Sequence, residues 1–286
     1  MRSGFATLVG RPNVGKSTLV NAMCGTKVAI VSDKPQTTRT QVRGILELPP
    51  GTQPGRPDAQ VVFIDTPGIH KPRTVAGERM NATASEALGD VDVVCLVLDA
   101  TAPLGTGDRF VASRVPKDAL CVVNKVDLAS PAEIAAQLAR AAELDLAEYF
   151  PVSARTGDGV DELLEAIVDR LPEGPRYYPE GTVTDVPDAF WVAELVREQL
   201  LAVVRDELPH SIACRVTEWE WPRIRCEILV ERESQKGIVI GRGGSVLKQV
   251  GTSVRAQLRE GAHLELVVKV DKDWQRRPKA LNRLGL

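Results

Sequence analysis

The sequence predicts an α/β domain with a mostly parallel sheet, followed by a smaller α+β domain. Three observations support this prediction. The first part of the chain alternates continuously apolar, strand-like runs with helix-like segments, as a sheet covered by helices on both faces requires. A Pro- and Gly-rich break follows at 172–181, and beyond it the order of elements changes. A length of 286 residues accommodates two domains of ordinary size. We therefore predict domains over 1–173 and 189–286, joined by a linker over 174–188.

The apolar runs of the first domain give its strands, and the segments between them give its helices. Strands are predicted at Phe5–Val9, Val61–Ile64, Val91–Leu98, Leu120–Val123 and Tyr149–Val152. Helices are predicted around Lys16–Cys24, Ala76–Leu88, Pro131–Leu144 and Val160–Leu171. The segment 49–57 is so rich in Pro and Gly that we interpret it as a mobile hairpin tip.

The second domain has the order helix, strand, strand, helix, glycine cluster, helix, strand. The predicted elements are the helix Ala189–Glu207, the strands Ile212–Trp219 and Arg223–Val230, the helix Ser245–Glu260 and the strand His263–Val270. Residues Ile238–Ile240 lead into the glycine cluster. The four tryptophans are expected to serve core or edge packing: Trp191, Trp219, Trp221 and Trp274.

Composition favours a globular, cytoplasmic protein, and the lack of a coiled-coil pattern or an interface repeat predicts a monomer. Hydrophobic residues make up 43% of the chain and charged residues 26%. No apolar run approaches the roughly 18 residues of a membrane helix, and the start leads directly into a strand, so we expect no signal peptide. The five scattered cysteines fit a reducing compartment. The net charge of −2 conceals a basic C-terminal part, with 12 Lys and Arg against 5 Asp and Glu over 232–286, which favours an anionic partner.

The segment Gly10–Ser17 matches the phosphate-loop pattern, in which a glycine and four residues precede Gly-Lys-Ser. It follows a predicted strand and opens a helix, so its amides and the helix N-terminus face a bound phosphate. Lys16 reaches the β- and γ-phosphates, and the hydroxyl of Ser17 is a Mg²⁺ ligand. The predicted phosphate-binding residues are Gly10, Arg11, Pro12, Asn13, Val14, Gly15, Lys16, Ser17 and Thr18.

Two further segments complete the predicted phosphate and metal site. Asp65-Thr66-Pro67-Gly68 follows a strongly apolar strand, where the aspartate holds Mg²⁺ through water and the amide of Gly68 meets the γ-phosphate. Thr37 and Thr38 lie in a polar stretch between the first helix and the next strand. One of them completes the Mg²⁺ shell when GTP is present, and spacing alone does not choose between the two.

The segment Asn124-Lys125-Val126-Asp127 follows the strand Leu120–Val123 and predicts a guanine site. One carboxylate, that of Asp127, accepts both the N1–H and the N2 amino group of guanine, whereas adenine leaves it unpaired. Ser153 and Ala154 follow the next strand, where backbone amides meet the guanine O6. The order of these motifs indicates binding of GTP and GDP rather than ATP.

With these motifs, the chain resembles the translation-factor-related GTPases, and within them the Era family of bacterial ribosome-assembly GTPases. The resemblance rests on the segments just described, on Lys34–Arg39 and on the C-terminal glycine cluster, and it covers essentially the whole chain. It implies a six-stranded GTPase domain followed by a KH domain of the prokaryotic type. It also implies Thr38 as the Mg²⁺-linked threonine and, as partners, the 3′ end of small-subunit rRNA and the 30S subunit.

Hydrolysis is expected to depend on Lys16, Thr38 and Gly68 and to be slow without an activator. Ile69 follows Gly68 where many signalling GTPases carry a water-positioning glutamine. Asn13 suggests a further hypothesis, because in related GTPases an asparagine at this position helps hold a K⁺ ion that supplies positive charge. The alternative is that Asn13 is a turn residue that tolerates an unusual backbone angle.

Gly241-Arg242-Gly243-Gly244 matches the G-x-x-G loop of KH domains, which clamps about four nucleotides. Arg242, Lys236 and Lys248 are expected to meet RNA phosphates. Ile238 and Ile240 are candidates for the base-contacting groove, with core packing as the alternative. Two other hypotheses stay open: an RNA-binding protein insensitive to nucleotide, and a signalling GTPase acting on a protein partner or at the inner face of the cell membrane through its basic tail.

Overall fold

The computed structural model describes residues 1–50, 58–72, 74–204 and 208–286, apart from the side chains of Pro209 and His210. The chain divides into two compact units. The first comprises Met1–Ala29, Thr38–Pro72 and Arg79–Asp185; the second comprises Val186–Leu286 with Ile30–Thr37 and a short stretch ending at Glu78. Most of the predicted hairpin tip at 49–57 lies outside the described residues.

A six-stranded sheet forms the centre of the first unit, in the spatial order β2-β3-β1-β4-β5-β6. Its strands are β1 (Arg2–Val9), β2 (Val42–Leu48), β3 (Ala59–Asp65), β4 (Val93–Asp99), β5 (Leu120–Asn124) and β6 (Glu148–Val152). All neighbouring pairs are parallel except β2 with β3. This arrangement confirms the predicted mostly parallel α/β sheet.

Helices cover both faces of this sheet. They are α1 (Lys16–Cys24), α2 (Val75–Glu86), α3 (Thr106–Ala112), α4 (Pro131–Ala142) and α5 (Val160–Arg170). Successive side chains of a strand point to opposite faces, and Leu8 and Val9 of β1 accordingly belong to two different buried apolar clusters. A core on each face explains why the central strands are continuously apolar rather than alternating.

The second unit contains a three-stranded sheet in the order β7-β8-β9. Its strands are β7 (Ala213–Glu220), β8 (Arg223–Val230) and β9 (His263–Val270), with β7 antiparallel and β9 parallel to β8. Its helices are α6 (Asp188–Val203), α7 (Leu208–Ser211), α8 (Glu233–Ile240), α9 (Ser245–Arg255) and α10 (Pro278–Arg283). This order confirms the predicted α+β domain, although α7 and α10 were not foreseen.

The tryptophans differ in their environments. Trp274 is fully buried, and its indole nitrogen donates a hydrogen bond to the carbonyl oxygen of Ser211 at 3.0 Å. Trp219 and Trp221 lie at the β7–β8 turn and are 39% and 45% exposed. The guanidinium carbon of Arg259 lies 5.6 Å from the centre of the Trp221 ring. Core packing therefore holds for Trp274, whereas the pair at the turn packs only at the sheet edge.

The segment predicted as a linker makes defined contacts with the first unit as far as Asp185. The side-chain oxygen of Gln60 accepts hydrogen bonds from the backbone amides of Tyr177 and Tyr178 at 2.8 and 3.0 Å. Arg43 of β2 forms an ion pair with Asp185 at 2.8 Å. Residues 176–185 are thus attached along the β2–β3 side of the sheet.

The predicted nucleotide-binding motifs of the first unit follow the carboxyl ends of four strands. The phosphate loop follows β1, the 65–68 turn begins at the last residue of β3, and the 124–127 segment begins at the last residue of β5. Ser153 and Ala154 follow β6. Because ligands of open α/β sheets bind outside the carboxyl ends of the strands, the topology brings these segments to one edge.

Candidate functional site

The phosphate loop, Gly10–Ser17, wraps around the amino group of Lys16. Asn13 and Gly15 both adopt positive φ, of 66° and 94°. The Lys16 Nζ atom donates to the carbonyl oxygens of Gly10 at 3.3 Å and Arg11 at 3.1 Å. Burial lowers the pKa of Lys16 to about 8, although the Asp65 carboxylate acts in the opposite direction. The loop therefore holds a buried cation whose charge an anionic ligand would stabilise.

Gly15 is required by packing as well as by its backbone angle. A Cβ atom at this position would lie 2.3 Å from the side-chain nitrogen of Asn124. That nitrogen donates to the carbonyl oxygen of Val14 at 2.9 Å. The Asn124 side-chain oxygen accepts from the amide of Ala154 at 3.0 Å. Asn124 thus ties the phosphate loop to the 153–154 segment, the two ends of the predicted nucleotide site.

Three oxygen-bearing side chains meet next to this loop. The Ser17 hydroxyl lies 2.7 Å from Oδ2 of Asp65 and 2.8 Å from the Thr38 hydroxyl. Thr38 Oγ1 lies 3.1 Å from the same carboxylate oxygen. Thr37 is not part of this cluster, since its hydroxyl donates to the carbonyl oxygen of Lys34 at 2.7 Å. The geometry therefore brings together Ser17, Thr38 and Asp65, the three predicted metal-linked residues.

This oxygen cluster fits a Mg²⁺ ion. Burial raises the pKa of Asp65, while the hydrogen bond from Ser17 and the charge of Lys16 oppose that shift. The second oxygen, Oδ1, is buried and makes no hydrogen bond to another described residue. Mg²⁺ in phosphate sites takes one or two carboxylates, hydroxyls, water and phosphate oxygens. In the described ranges, no group of three or more His, Cys, Asp and Glu side chains is arranged to hold a metal ion.

The 65–68 turn is packed directly against the phosphate loop. A Cβ atom on Gly68 would lie 2.5 Å from the backbone nitrogen of Pro12. The amide of Ile69 donates to the carbonyl oxygen of Gly10 at 3.1 Å, and the Thr66 hydroxyl donates to the carbonyl of Leu8 at 2.8 Å. The Ile69 side chain is 2% exposed and lies in an apolar cluster. It therefore contributes no polar group that positions a water molecule.

The carboxylate of Asp127, the predicted guanine ligand, has a neighbouring side chain at each oxygen. The Ser153 hydroxyl donates to Oδ1 at 2.7 Å, and a guanidinium nitrogen of Arg155 lies 2.9 Å from Oδ2. The Asp127 side chain is largely buried, whereas that of Arg155 is exposed. Because its orientation is set before a ligand arrives, this carboxylate is suited to accept the paired N–H groups of guanine.

Lys125 connects the predicted base site with the phosphate loop. Its backbone adopts a φ of 70°, and its Nζ atom donates to the carbonyl oxygen of Asn13 at 2.7 Å and to Oδ2 of Asp99 at 2.6 Å. The pKa of Asp99 is lowered: burial alone would raise it, but the hydrogen bonds from Lys125 and Thr101 outweigh burial. The sequence-based prediction missed Asp99, for which the only indication is a charged residue at the end of the apolar strand β4.

A second group missed by the prediction is Asp108, which lies in α3. Its carboxylate is largely buried and forms an ion pair with Arg11 of the phosphate loop at 3.1 Å. The same oxygen accepts a hydrogen bond from the Gly105 amide at 2.9 Å. The conformation of the phosphate loop is thus supported from α3 as well as from β3 and β5.

The predicted RNA loop, Gly241–Gly244, connects α8 with α9. Gly241 has a φ of 75°, and a Cβ atom there would lie 2.7 Å from Cγ2 of Val246. Gly243 and Gly244 also have positive φ, of 58° and 80°, but a Cβ atom on either would meet nothing within 4 Å. The first glycine thus permits close packing onto α9, and the other two permit the exposed turn.

The remaining predicted RNA residues surround this loop. Arg242 and Lys248 are exposed, and Lys236 lies 3.6 Å from Glu233 in an ion pair. Ile238 is 58% exposed, which is unusual for a large apolar residue, whereas Ile240 is packed against the core of the second unit. Ile238 is therefore available to a ligand, and core packing applies to Ile240.

Comparison with known proteins decides the family. Residues 5–125 match the family model described as 50S ribosome-binding GTPase, and residues 207–275 match that of the KH domain. GTPase Era of Nocardioides sp. is 46% identical over 99% of this chain and 96% of its own length. GTPase Era of Mycobacterium avium is 46% identical over 99% and 98%, respectively. The chain belongs to the Era family of GTPases.

Two solved Era structures share the architecture of the whole chain. One is an Era variant of Aquifex aeolicus bound to GDP·AlF₄⁻, 36% identical, with a TM-score of 0.92 over 100% of this chain and 99% of that chain. The other is Era in complex with MgGDPNP and nucleotides 1506–1542 of 16S ribosomal RNA, 37% identical, with a TM-score of 0.93 over the same shares. They confirm that this Era-family chain is a GTPase domain followed by a KH domain. No helix in the described residues is both long and apolar enough to cross a membrane.

Proposed function

We propose that this Era-family GTPase binds GTP with Mg²⁺ at the carboxyl edge of its large sheet and that GTP gates binding of its KH domain to the 3′ end of small-subunit rRNA. The observation that carries the proposal is the relative solved with MgGDPNP and 16S rRNA nucleotides, which matches this chain over its full length. The step served would be assembly of the 30S subunit.

The nucleotide part of the proposal assigns each segment one role. The phosphate loop and Lys16 bind the phosphates, and Asp127 selects guanine with Ser153 and Ala154 beside it. Ser17, Thr38 and Asp65 would hold Mg²⁺, which supplies positive charge at the phosphates, with Asp65 acting through water. The support is the oxygen cluster, in which all three side chains lie within 3.1 Å of one another. Hydrolysis is slow in this account, because the residue after Gly68 is a buried isoleucine.

The same account includes stimulation by K⁺ through Asn13. The support is the position of Asn13 in the phosphate loop, next to the predicted phosphate-binding residues; its φ of 66° is a backbone angle that asparagine also tolerates as a turn residue. Turnover of GTP measured in KCl and in NaCl checks this. Faster turnover in KCl, lost in Asn13→Ala, is expected; equal rates in both salts would remove K⁺ from the mechanism.

The RNA part of the proposal rests on the glycine loop and its surroundings. The exposed Arg242 and Lys248 would meet RNA phosphates, Lys236 would join them on release from Glu233, and Ile238 would contact a base. The glycines at 243 and 244 leave open space where a nucleic-acid backbone can approach. We further propose that the protein acts as a monomer in the cytoplasm, with peripheral contact at the inner face of the cell membrane.

The test is a titration of a fluorescent rRNA 3′-end oligonucleotide with protein loaded with a non-hydrolysable GTP analogue or with GDP. Gly243→Asp places a negative charge in the loop, and Gly261→Asp is a matched control, because both positions have positive φ and no atom within 4 Å of a Cβ. We expect tight binding only with the analogue, lost in Gly243→Asp and retained in Gly261→Asp.

Other outcomes of this titration would favour the other two hypotheses. Equal RNA affinity with GDP and with the analogue would mean an RNA-binding protein that ignores its nucleotide. No RNA affinity together with binding to anionic vesicles would favour a signalling GTPase at a membrane. Either result would reject the gating proposal while leaving the GTPase assignment intact.

A further inference from the structure

The segment Ile30–Thr37, which precedes the Mg²⁺-linked threonine, belongs to the same compact unit as α6. Two neighbouring residues of α6 contact its backbone. Glu198 accepts a hydrogen bond from the amide of Val31 at 2.9 Å. Arg197 donates from its guanidinium to the carbonyl oxygen of Thr37. Helix α6 therefore holds this segment near its beginning and at its end.

Arg197 is buried to an extent that is rare for arginine. Its side chain is only 2% exposed, and its Nε atom donates to Glu194 Oε1 at 2.8 Å. A second guanidinium nitrogen contacts both Glu194 and the Thr37 carbonyl. The third nitrogen, Nη1, is buried and has no hydrogen-bond partner among the described residues. Burying such an ion pair gives little or no net stability, since apolar replacements are often at least as stable.

Arg197 binds the carbonyl oxygen of Thr37, the residue directly before the proposed metal-linked Thr38. The peptide unit that includes the Thr37 carbonyl also includes the amide nitrogen of Thr38, and this unit is planar and stiff. Fixing the Thr37 oxygen therefore restricts the direction in which the Thr38 side chain leaves the backbone. The Thr38 hydroxyl in turn lies 2.8 Å from Ser17 and 3.1 Å from Asp65.

We propose that Arg197 is a positioning residue for GTP: it holds the Thr37 carbonyl so that the Thr38 hydroxyl faces the Mg²⁺ site. Glu194 orients the guanidinium, and Glu198 fixes the start of the same segment. The inference rests on the proposed role of Thr38 as a ligand of the Mg²⁺ that accompanies GTP. It gives α6 a specific effect on the GTP-bound state, because GDP lacks the γ-phosphate that draws this threonine into the metal shell.

The test compares affinities for a fluorescent GTP analogue and for GDP at saturating Mg²⁺, with thermal unfolding recorded for each variant. Arg197→Met combined with Glu194→Gln removes both charges without leaving one buried alone. We expect about tenfold weaker binding of the analogue, the size of one lost charge-assisted hydrogen bond, and less than a twofold change for GDP. Arg197→Lys keeps the positive charge but lacks the planar guanidinium with its several donors. We expect it to weaken binding of the analogue to a similar extent.

Two further variants separate positioning from stability. Val196→Ala removes buried volume from the same helix in an apolar cluster that contains no residue of the 30–37 segment, so it should lower the unfolding temperature and leave the ratio of the two affinities unchanged. Thr38→Ala alone should lower the affinity for the GTP analogue. Adding Arg197→Met and Glu194→Gln to Thr38→Ala should cause no further loss of affinity for the analogue, because Arg197 acts on the site only through the Thr38 hydroxyl.

The outcomes distinguish this inference from the proposed function. If Thr38→Ala leaves the analogue affinity unchanged, the metal assignment of Thr38 fails and the positioning role with it. If Thr38→Ala lowers the affinity for the analogue but the Arg197 variants do not, the metal assignment of Thr38 is retained and the positioning role of Arg197 is refuted. Equal losses for GDP and the analogue, or losses that add to those of Thr38→Ala, would show that Arg197 serves only the stability of its unit.

Discussion

Gly68→Ala tests whether the 65–68 turn senses the γ-phosphate. The added methyl carbon would lie 2.5 Å from the backbone nitrogen and 2.7 Å from the Cα atom of Pro12. Ordinary contact begins at about 3.4 Å, so the turn and the phosphate loop must separate by roughly 0.9 Å. Gly68 does not have a positive φ, and the backbone itself accepts alanine. The perturbation is therefore steric and confined to the approach of these two segments.

The expected effect of Gly68→Ala follows from the size of this separation. Overpacking of this kind costs about 1–3 kcal/mol, and a γ-phosphate bound between the two segments would bear most of it. We expect affinity for a GTP analogue to fall at least about tenfold and affinity for GDP to fall less than about threefold. Competition with a fluorescent nucleotide measures both, and single-turnover hydrolysis should slow in parallel.

A matched variant makes this result interpretable. In Gly89→Ala the added methyl group meets a single atom, the carbonyl oxygen of Glu86 at 3.5 Å, so nucleotide affinity should not change. Unchanged affinity for the analogue in Gly68→Ala, or equal losses for GDP and the analogue, would refute the assignment of this turn to the γ-phosphate.

Three further predictions concern charge in the nucleotide site. Because burial lowers the pKa of Lys16 to about 8, a substantial fraction of it is uncharged at pH 8, and binding of a nucleotide, which restores that charge, should take up protons at pH 8 and fewer as the pH falls toward 7. Calorimetry in buffers of different ionisation enthalpy measures this uptake, and buffer-independent heats at pH 8 would contradict it. Asp127→Asn should lower the affinity for GDP at least about hundredfold. The variant should instead prefer xanthosine diphosphate, whose C2 oxygen accepts a hydrogen bond from the new amide. A retained preference for GDP would contradict the base-site assignment. Asp99→Asn should lower the affinities for GDP and for the GTP analogue equally, by about fivefold, because Lys125 loses its charged partner. A loss confined to the analogue would show that Lys125 does not support the base site.

Motifs whose residues are close in sequence could be located from the sequence. The phosphate loop, the 65–68 turn and the glycine loop each depend on backbone geometry set within a few positions, so glycine placement and strand context reveal them. The strands β1, β3 and β5 were recognisable because burial on both faces makes them continuously apolar. In contrast, β2 pairs with a single neighbour at the sheet edge and mixes glycine and charged residues with apolar ones, which obscures its period.

Residues that act through distant partners could not be predicted. Asp99 and Lys125 are separated by 26 positions, and Arg197 and Thr37 by 160, so neither pair has a local pattern. The choice between Thr37 and Thr38 depended on resemblance, because adjacent threonines differ only in where the backbone directs them. In the structure, Thr37 caps its own turn through Lys34 and Thr38 faces Asp65.

The coupling between nucleotide and RNA is tested most directly through its reciprocity. If a GTP analogue raises rRNA affinity by a given factor, saturating rRNA must raise affinity for the analogue by the same factor. The measurement is the dissociation constant of a fluorescent GTP analogue with and without the rRNA 3′ end, repeated with GDP. GTP gating predicts tighter binding of the analogue with RNA, by the factor found in the RNA titration, and no such gain for GDP. An analogue affinity that is the same with and without bound RNA would contradict GTP-gated rRNA binding.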